Sequence, residues 1–506
     1  MTLAGRTGRL AFPCDWCVML CRQSPRSGRN PQLKRAWCMT IVRSVASWVV
    51  LLVVVVLATG SSQASAKPLP EIGGCQIEAV GFLPEAVLSE PQGPGELTVA
   101  LGGLSDLLLE SADAGTLRFK AITDRGPNGK VSTPQGKRRT LLNPAFAPTV
   151  VTFEIGEVDA ARPLVTTQDG SAARLSLSIV ELMPLQGRSG VPLSGRPNGI
   201  GNEEPILNAS ASAELPADPN GFDAEGLVRL PDGSFWLSEE YRPSLAWMTA
   251  DGKVQGRLTP AGQKLVGADM ESLDILPAAY GNRKDNRGFE SLAVSKDGRT
   301  VWVMLQSPLE NPSEGAAAAT GNVRLLAIDV ATKKPVGEYI YRAGRPLSPG
   351  WAREGAPPED VKLCAMAALD DGRLLVLEQS DGAVAELYVI SFEAATNLLA
   401  TDLQKPVEPI GDLAAAGIAM LGKTLVADLA PHLPAMADHV TDGAWRKHDD
   451  EPPGLKIEGM AVLDPHRVAL INDNDFNIDW IEDHDEPQRK NCLWVVQLHD
   501  PIVATP

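Results

Sequence analysis

The sequence is short of the residues on which many small folds and many active sites depend. Beyond residue 66 its only cysteines are Cys75, Cys364 and Cys492, so a packed core rather than a disulfide scaffold must supply stability. All six histidines fall between His432 and His499, which leaves most of the chain without an imidazole ligand or base. No G-x-S-x-G elbow occurs, and Ser105 in Gly103-Leu104-Ser105-Asp106 reads as a turn cap, so serine nucleophile chemistry finds little support. Helical patterning is scarce too: Ala316–Ala319 and Asp412–Leu421 are the best candidates, both read as insertions. Positive charge is in deficit, with 46 Lys and Arg against 63 Asp and Glu and a net charge of −17. That balance repels nucleic acid and anionic membrane surfaces. It suits cations, although solubility alone accounts for most of it.

Long apolar runs are also missing. Trp48–Ala58 is unbroken but only eleven residues long, where a bilayer-spanning helix needs about 20. With Arg43 before it and Ala64-Ser65-Ala66 after it, the run fits a signal peptide and predicts cleavage after Ala66. The chain then divides into an extension and signal, 1–66, and a domain, 67–506. The domain is secreted or periplasmic, with no stable membrane span after cleavage. Eight Lys and Arg and a single acid, Asp15, lie in 1–66, so the domain is more acidic than the whole chain. Reading Met39 as the initiator leaves a short basic start. The other reading is a cytoplasmic extension with Cys14, Cys17 and Cys21 as ligands, which is weak because Cys38 is distant and no histidine is near.

Against these absences stands a repeat. FDAEGLVRLPDGSFWLSEEY (222–241), RGFESLAVSKDGRTVWVMLQ (287–306), VKLCAMAALDDGRLLVLEQS (361–380) and LKIEGMAVLDPHRVALINDND (455–475) each join two apolar runs through a turn. Three of the turns contain Asp-Gly, a strong hairpin signal between alternating runs. A looser copy spans 102–126. Aligned on the turn aspartate, Glu225 and Glu290 lie seven residues before it, and Cys364 holds the same place. Glu239 and Glu378 lie seven residues after it. The expectation is an all-β chain: a single β-propeller of about six blades, five or seven remaining open, with loop and short helical insertions. An extra blade is expected around 150–158 and 173–182. The ring would close by pairing Gln76–Phe82 with Leu493–Leu498, and a Cys75–Cys492 disulfide is one way of sealing it.

Topology gives the acids a meeting place. A hairpin's first strand begins, and its second ends, on one edge of the sheet. Radial repetition therefore carries Glu225, Glu239 or Glu240, Glu290, Glu378 and Glu458 toward one rim, joined by the Asn472-Asp473-Asn474-Asp475 turn. Crowded carboxylates repel, and a hard cation with oxygen ligands relieves the repulsion, which favours Ca2+ over zinc. The turn is not an EF-hand, since its glycine and distal glutamate are missing. Arg125, Arg242 and Arg287 adjoin the same positions, and Lys137-Arg138-Arg139 lies in a nearby loop. They fit either an anion-binding half of the site or salt bridges to neighbouring acids.

Together GGLSDL (102–107), AITDRGPNG (121–129) and the blocks at 222–241, 287–306 and 456–476 resemble the phytase-like family, described as esterase-like activity of phytase. The likeness runs from about Gly102 to Leu498. The resemblance implies a propeller and a metal-dependent phosphoric ester hydrolase acting on a polar or phosphorylated small molecule. It maps acidic ligand positions onto Asp124, Glu225, Glu239, Glu240, Glu290, Glu378, Glu458, Asp473 and Asp475. Glu225 or Glu290 would be the general base, and Arg125, Arg242 and Arg287 would neutralise phosphoryl charge. A lactone or carboxyl-ester hydrolase and a non-catalytic binding module are the alternatives. Cys364 and Gln306 depart from a fully acidic rim.

Overall fold

Alternating apolar runs separated by Asp-Gly turns fold here as antiparallel hairpins. The computed structural model describes residues 74–502, apart from 114, 135, 157–171, 201–204, 319, 345–360, 381–383, 402–404, 445–454 and 479–487. The signal run, its cleavage point, Met39 and the four N-terminal cysteines lie outside the described residues. Gly233, Gly298 and Gly372 take positive φ at the three Asp-Gly turns, as tight hairpins require.

Among the described residues the strands group into five four-stranded antiparallel sets, here called blades. The first is Leu104–Asp113, Thr116–Thr123, Thr149–Ile155 and Ala173–Pro184. The second is Ala224–Arg229, Phe235–Glu239, Ser244–Met248 and Val254–Pro260, extended by a parallel fifth strand, Glu271–Leu276. The third is Phe289–Val294, Thr300–Leu305, Asn322–Asp329 and Lys334–Arg342. The fourth is Lys362–Ala368, Leu374–Ser380, Val384–Ser391 and Gly422–Asp428. The fifth takes Lys456–Asp464, Arg467–Asp473 and Cys492–Leu498 from the end of the domain and Cys75–Phe82 from its start. The strands expected around 150–158 and 173–182 are therefore not an extra blade. They are the outer half of the first.

The first two strands of each blade meet those of the next in a ring. Leu227 N donates to Asp106 Oδ2 at 2.7 Å, Ser238 Oγ to the Glu290 carbonyl at 2.9 Å and Ser291 Oγ to the Leu363 carbonyl at 2.8 Å. Ile457 N donates to Gln379 Oε1 at 3.0 Å. Gly459 completes the circuit, since a Cβ there would fall 2.7 Å from the Asp106 backbone. This circular order of radially repeated sheets is a β-propeller. Apolar side chains between neighbouring blades form the core, with Trp236, Trp494 and Phe289 fully buried.

Two expectations are corrected. Cys75 faces Leu498 and Cys492 faces Phe82, so the two thiols sit at opposite ends of one strand pair. At roughly 3.3 Å per residue they lie about 20 Å apart, and all three described cysteines are free and buried. Residues 316–318 and 412–421 form turns and irregular loop rather than helices, and the α-helix among the described residues is Leu433–Thr441.

Candidate functional site

Register places the site. In each blade the first strand slips against the second at the same point, leaving Ser105, Glu225, Glu290, Cys364 and Glu458 at a bulge. A bulge re-aims a side chain and bends the strand. Five bulges in a closed ring therefore make one inner circle, and all five side chains are buried.

A second circle follows from the other strand. Asp124, Glu240 and Gln306 each donate a backbone N–H to the residue two before the bulge, Gly103, Asp223 and Gly288 respectively. Gln379 and Asp473 face Lys362 and Lys456 in the same register. The place two before the bulge thus changes from an acid in the second blade to lysine in the fourth and fifth. The second blade adds an acid, Asp223, at the place where the fifth sets Lys456 among its own acids Asp473 and Asp475.

A cavity of about 600 Å³ opens above these circles. Asp124, Glu225, Glu240, Glu290, Glu458, Asp473 and Asp475 border it, as do Arg125 and Arg287. Ligand oxygens of Asp223, Glu225 and Glu240 lie within 4.8 Å of one another, and so do donor atoms of Glu290, Cys364 and Glu458. Arg125 binds Asp223 Oδ2 at 2.8 Å and Glu240 Oε2 at 3.3 Å, and stacks 4.9 Å from the Tyr241 ring centre. Lys456 pairs with Asp473 at 3.3 Å and with Asp475, which Arg489 also meets at 3.2 Å.

These surroundings set the protonation of the acids. Burial and then Glu290 push Glu225 well above the usual carboxylate range, and burial and then Glu240 do the same to Glu290. Burial and then Asp473 push Glu458 up to about 8. Burial raises Asp223 to about 7, against the pull of Arg125. Asp475 goes the other way, to about 2: burial opposes this, but Lys456 and Arg489 outweigh it.

Three expected site residues stay out of the cavity. Glu239 accepts from the Arg242 N–H at 3.1 Å and from Ser244 Oγ at 3.0 Å. Glu378 accepts from the Gly344 N–H at 3.1 Å and binds Tyr341 and Lys423. The repeat explains both, since these acids occupy one register position, where Glu239 ties down the loop that follows it and Glu378 ties the end of the third blade to Lys423. Arg242 directs its guanidinium to the Ile200 carbonyl.

Sequence reasoning missed Asp223, Lys362 and Lys456. All three carried a signal, because each lies two residues before a bulge position. The expected basic cluster Lys137-Arg138-Arg139 sends one member to the cavity, Arg139, on the hairpin Asn128–Thr133 and Gly136–Leu141.

A family model described as "Phytase-like: Esterase-like activity of phytase" matches residues 99–476. An uncharacterized secreted protein of Arthroderma benhamiae is 26% identical over 208 residues, which span 35% of this chain and 40% of that protein. The chain thus matches less than half the length of that relative. Among solved structures, a luciferin-regenerating enzyme is 11% identical with a TM-score of 0.28, covering 80% of this chain and 97% of that one. A β-propeller domain from Myceliophteria thermophila is 10% identical with a TM-score of 0.30, covering 82% and 99%. Among the described residues no helix is long and apolar enough to cross a membrane.

Proposed function

The chain belongs to the phytase-like family, and we propose that it is an extracytoplasmic, metal-dependent hydrolase of phosphate esters working in the central cavity. The observation that carries this reading is the meeting, in one cavity, of unsatisfied carboxylate oxygens with a lysine and arginine border. Glu240 Oε1 and Glu290 Oε2 are buried without a hydrogen-bond partner, at a cost only a cation or a proton removes. The oxygen set Asp223, Glu225 and Glu240 fits a hard divalent ion such as Ca2+. Such an ion supplies charge for phosphoryl oxygens and acidifies a bound water.

The chain's own groups do the rest. Arg287, Lys362 and Lys456 border the cavity where an anionic ester enters and would fix its oxygens. Arg125 holds Asp223 and Glu240 in place, so its role is positioning. Glu225 or Glu290 is the candidate base, both having carboxylates that favour the proton.

The test is hydrolysis by the purified protein, with calcium, of phosphomonoesters, phosphodiesters and lactones. Activity on phosphoesters that needs calcium and is lost in Glu225→Ala and Glu290→Ala supports the reading. Turnover of lactones alone would replace it with the carboxyl-ester alternative. Calcium bound with no turnover of any class would make the protein a binding module.

A further inference from the structure

We propose that Glu290, Cys364 and Glu458 form a second cation position, which takes a thiophilic divalent ion of the zinc type rather than calcium. The proposal rests on the reading that the cavity floor holds cations, and it deepens that reading by separating two chemistries. Asp223, Glu225 and Glu240 offer oxygen only, and Arg125 already answers two of their charges. The other trio offers one sulfur and two carboxylates, with donor atoms within 4.8 Å of one another. Donors on a common zinc-sized ion, at about 2.0–2.3 Å each, are at most about 4.5 Å apart, so a small closure brings all three onto one ion.

Two further observations point to a ligand there. Glu290 is 1% exposed, and its Oε2 has no hydrogen-bond partner. Gln379 meanwhile fixes the sulfur's role. Its Oε1 accepts from the Ile457 N–H at 3.0 Å, which turns its Nε2 onto Cys364 Sγ, also at 3.0 Å. An amide N–H aimed at sulfur supports a thiolate, as outer hydrogen bonds to metal-bound sulfur do. Carboxylates alone select hard ions, whereas a thiolate among them shifts preference toward zinc, iron or cobalt. Binding displaces the thiol proton, and any carboxyl proton, to solvent; nothing is oxidised or reduced.

The experiment titrates the metal-stripped full-length chain with Co2+ as the probe. The expected result is a near-ultraviolet sulfur-to-cobalt charge-transfer band that zinc abolishes and that Cys364→Ser lacks. Thiols elsewhere in the chain persist in that variant, so the difference spectrum reads Cys364 alone. Gln379→Leu keeps the thiol and should weaken cobalt binding by about 10–100-fold, which serves as the check if Cys364→Ser does not fold. Cobalt bound without the band, a band undiminished in Cys364→Ser, or no cobalt bound at all would overturn the proposal. A band without phosphoesterase activity would sink the hydrolase reading and leave this site standing. Calcium-dependent activity without a band would do the reverse.

Discussion

Arg125 of the first blade and Asp223 of the second form an ion pair of 2.8 Å with both side chains almost wholly buried. The pair joins two blades directly under the cavity, and Glu240 completes it from a second strand. Removing the cation leaves two buried carboxylates facing each other without compensation. Arg125→Met should therefore destabilise the protein by about 3–5 kcal/mol, read by denaturant unfolding at neutral pH. A change below about 1 kcal/mol would show that the acids find other partners.

Glu290 and Glu378 both belong to the repeated acids expected at one rim, yet they should respond oppositely to the same substitution. Glu378→Gln breaks the buried pair with Lys423 and should cost about 3–5 kcal/mol. Glu290→Gln removes one member of a crowded set of like charges. In metal-free protein at pH 8 it should raise the melting temperature. Melting curves of the two variants, side by side, check both signs.

A divalent cation that binds the folded chain alone must stabilise it by mass action, by about 2.7 kcal/mol at one hundred times its dissociation constant. Calcium should raise the melting temperature of the natural protein, chelator should reverse the rise, and Glu225→Gln should abolish it. A calcium-independent melting curve would rule out a specific calcium site.

How much of this was legible follows from individual positions. The turn aspartates and the acids seven residues before them exposed the first strands and most of the inner circle. They could not tell Glu239 from Glu240, because a strand alternates its faces and one residue decides between loop anchor and cavity. Nor could they reveal that Lys423 neutralises Glu378, which depends on a fourth strand pairing with the third. The fifth copy gave itself away by an acid-rich turn, but the first was obscured by its different turn, Asp113 to Thr116, and by a serine at the bulge.

Asp106 ties the first and second blades by accepting from Leu107 and Leu227, each at 2.7 Å. Burial raises its pKa to about 7, although both backbone donors pull downward. With the folded value above the unfolded one, its contribution is fully present below about pH 4 and is lost as pH rises through about 7. Asp106→Asn, which turns an N–H toward a donor, should cost about 1–3 kcal/mol. The gap between variant and natural protein should narrow from pH 4 to pH 7, as unfolding measured at several pH values will show.

Gly103 has a φ of +62°, and a Cβ there would stand 2.1 Å from the Phe476 ring. Its N–H also donates to Asn474 Oδ1 at 3.2 Å. Gly103→Ala should push the Asp473–Asp475 turn off its seat at a cost of about 1–3 kcal/mol and weaken cation binding. Calorimetric titration with calcium, alongside a melting curve, reads both effects.

The fifth blade draws three strands from residues past 455 and its last from the Cys75–Phe82 segment. Its Lys456, Glu458 and Asp473 belong to the cavity. A ribosome or translocon releasing this chain in order therefore holds four sheets and a waiting strand until residues 456–498 have emerged. The binding chamber is assembled after the other four sheets, so an ion meets it only once that segment is out.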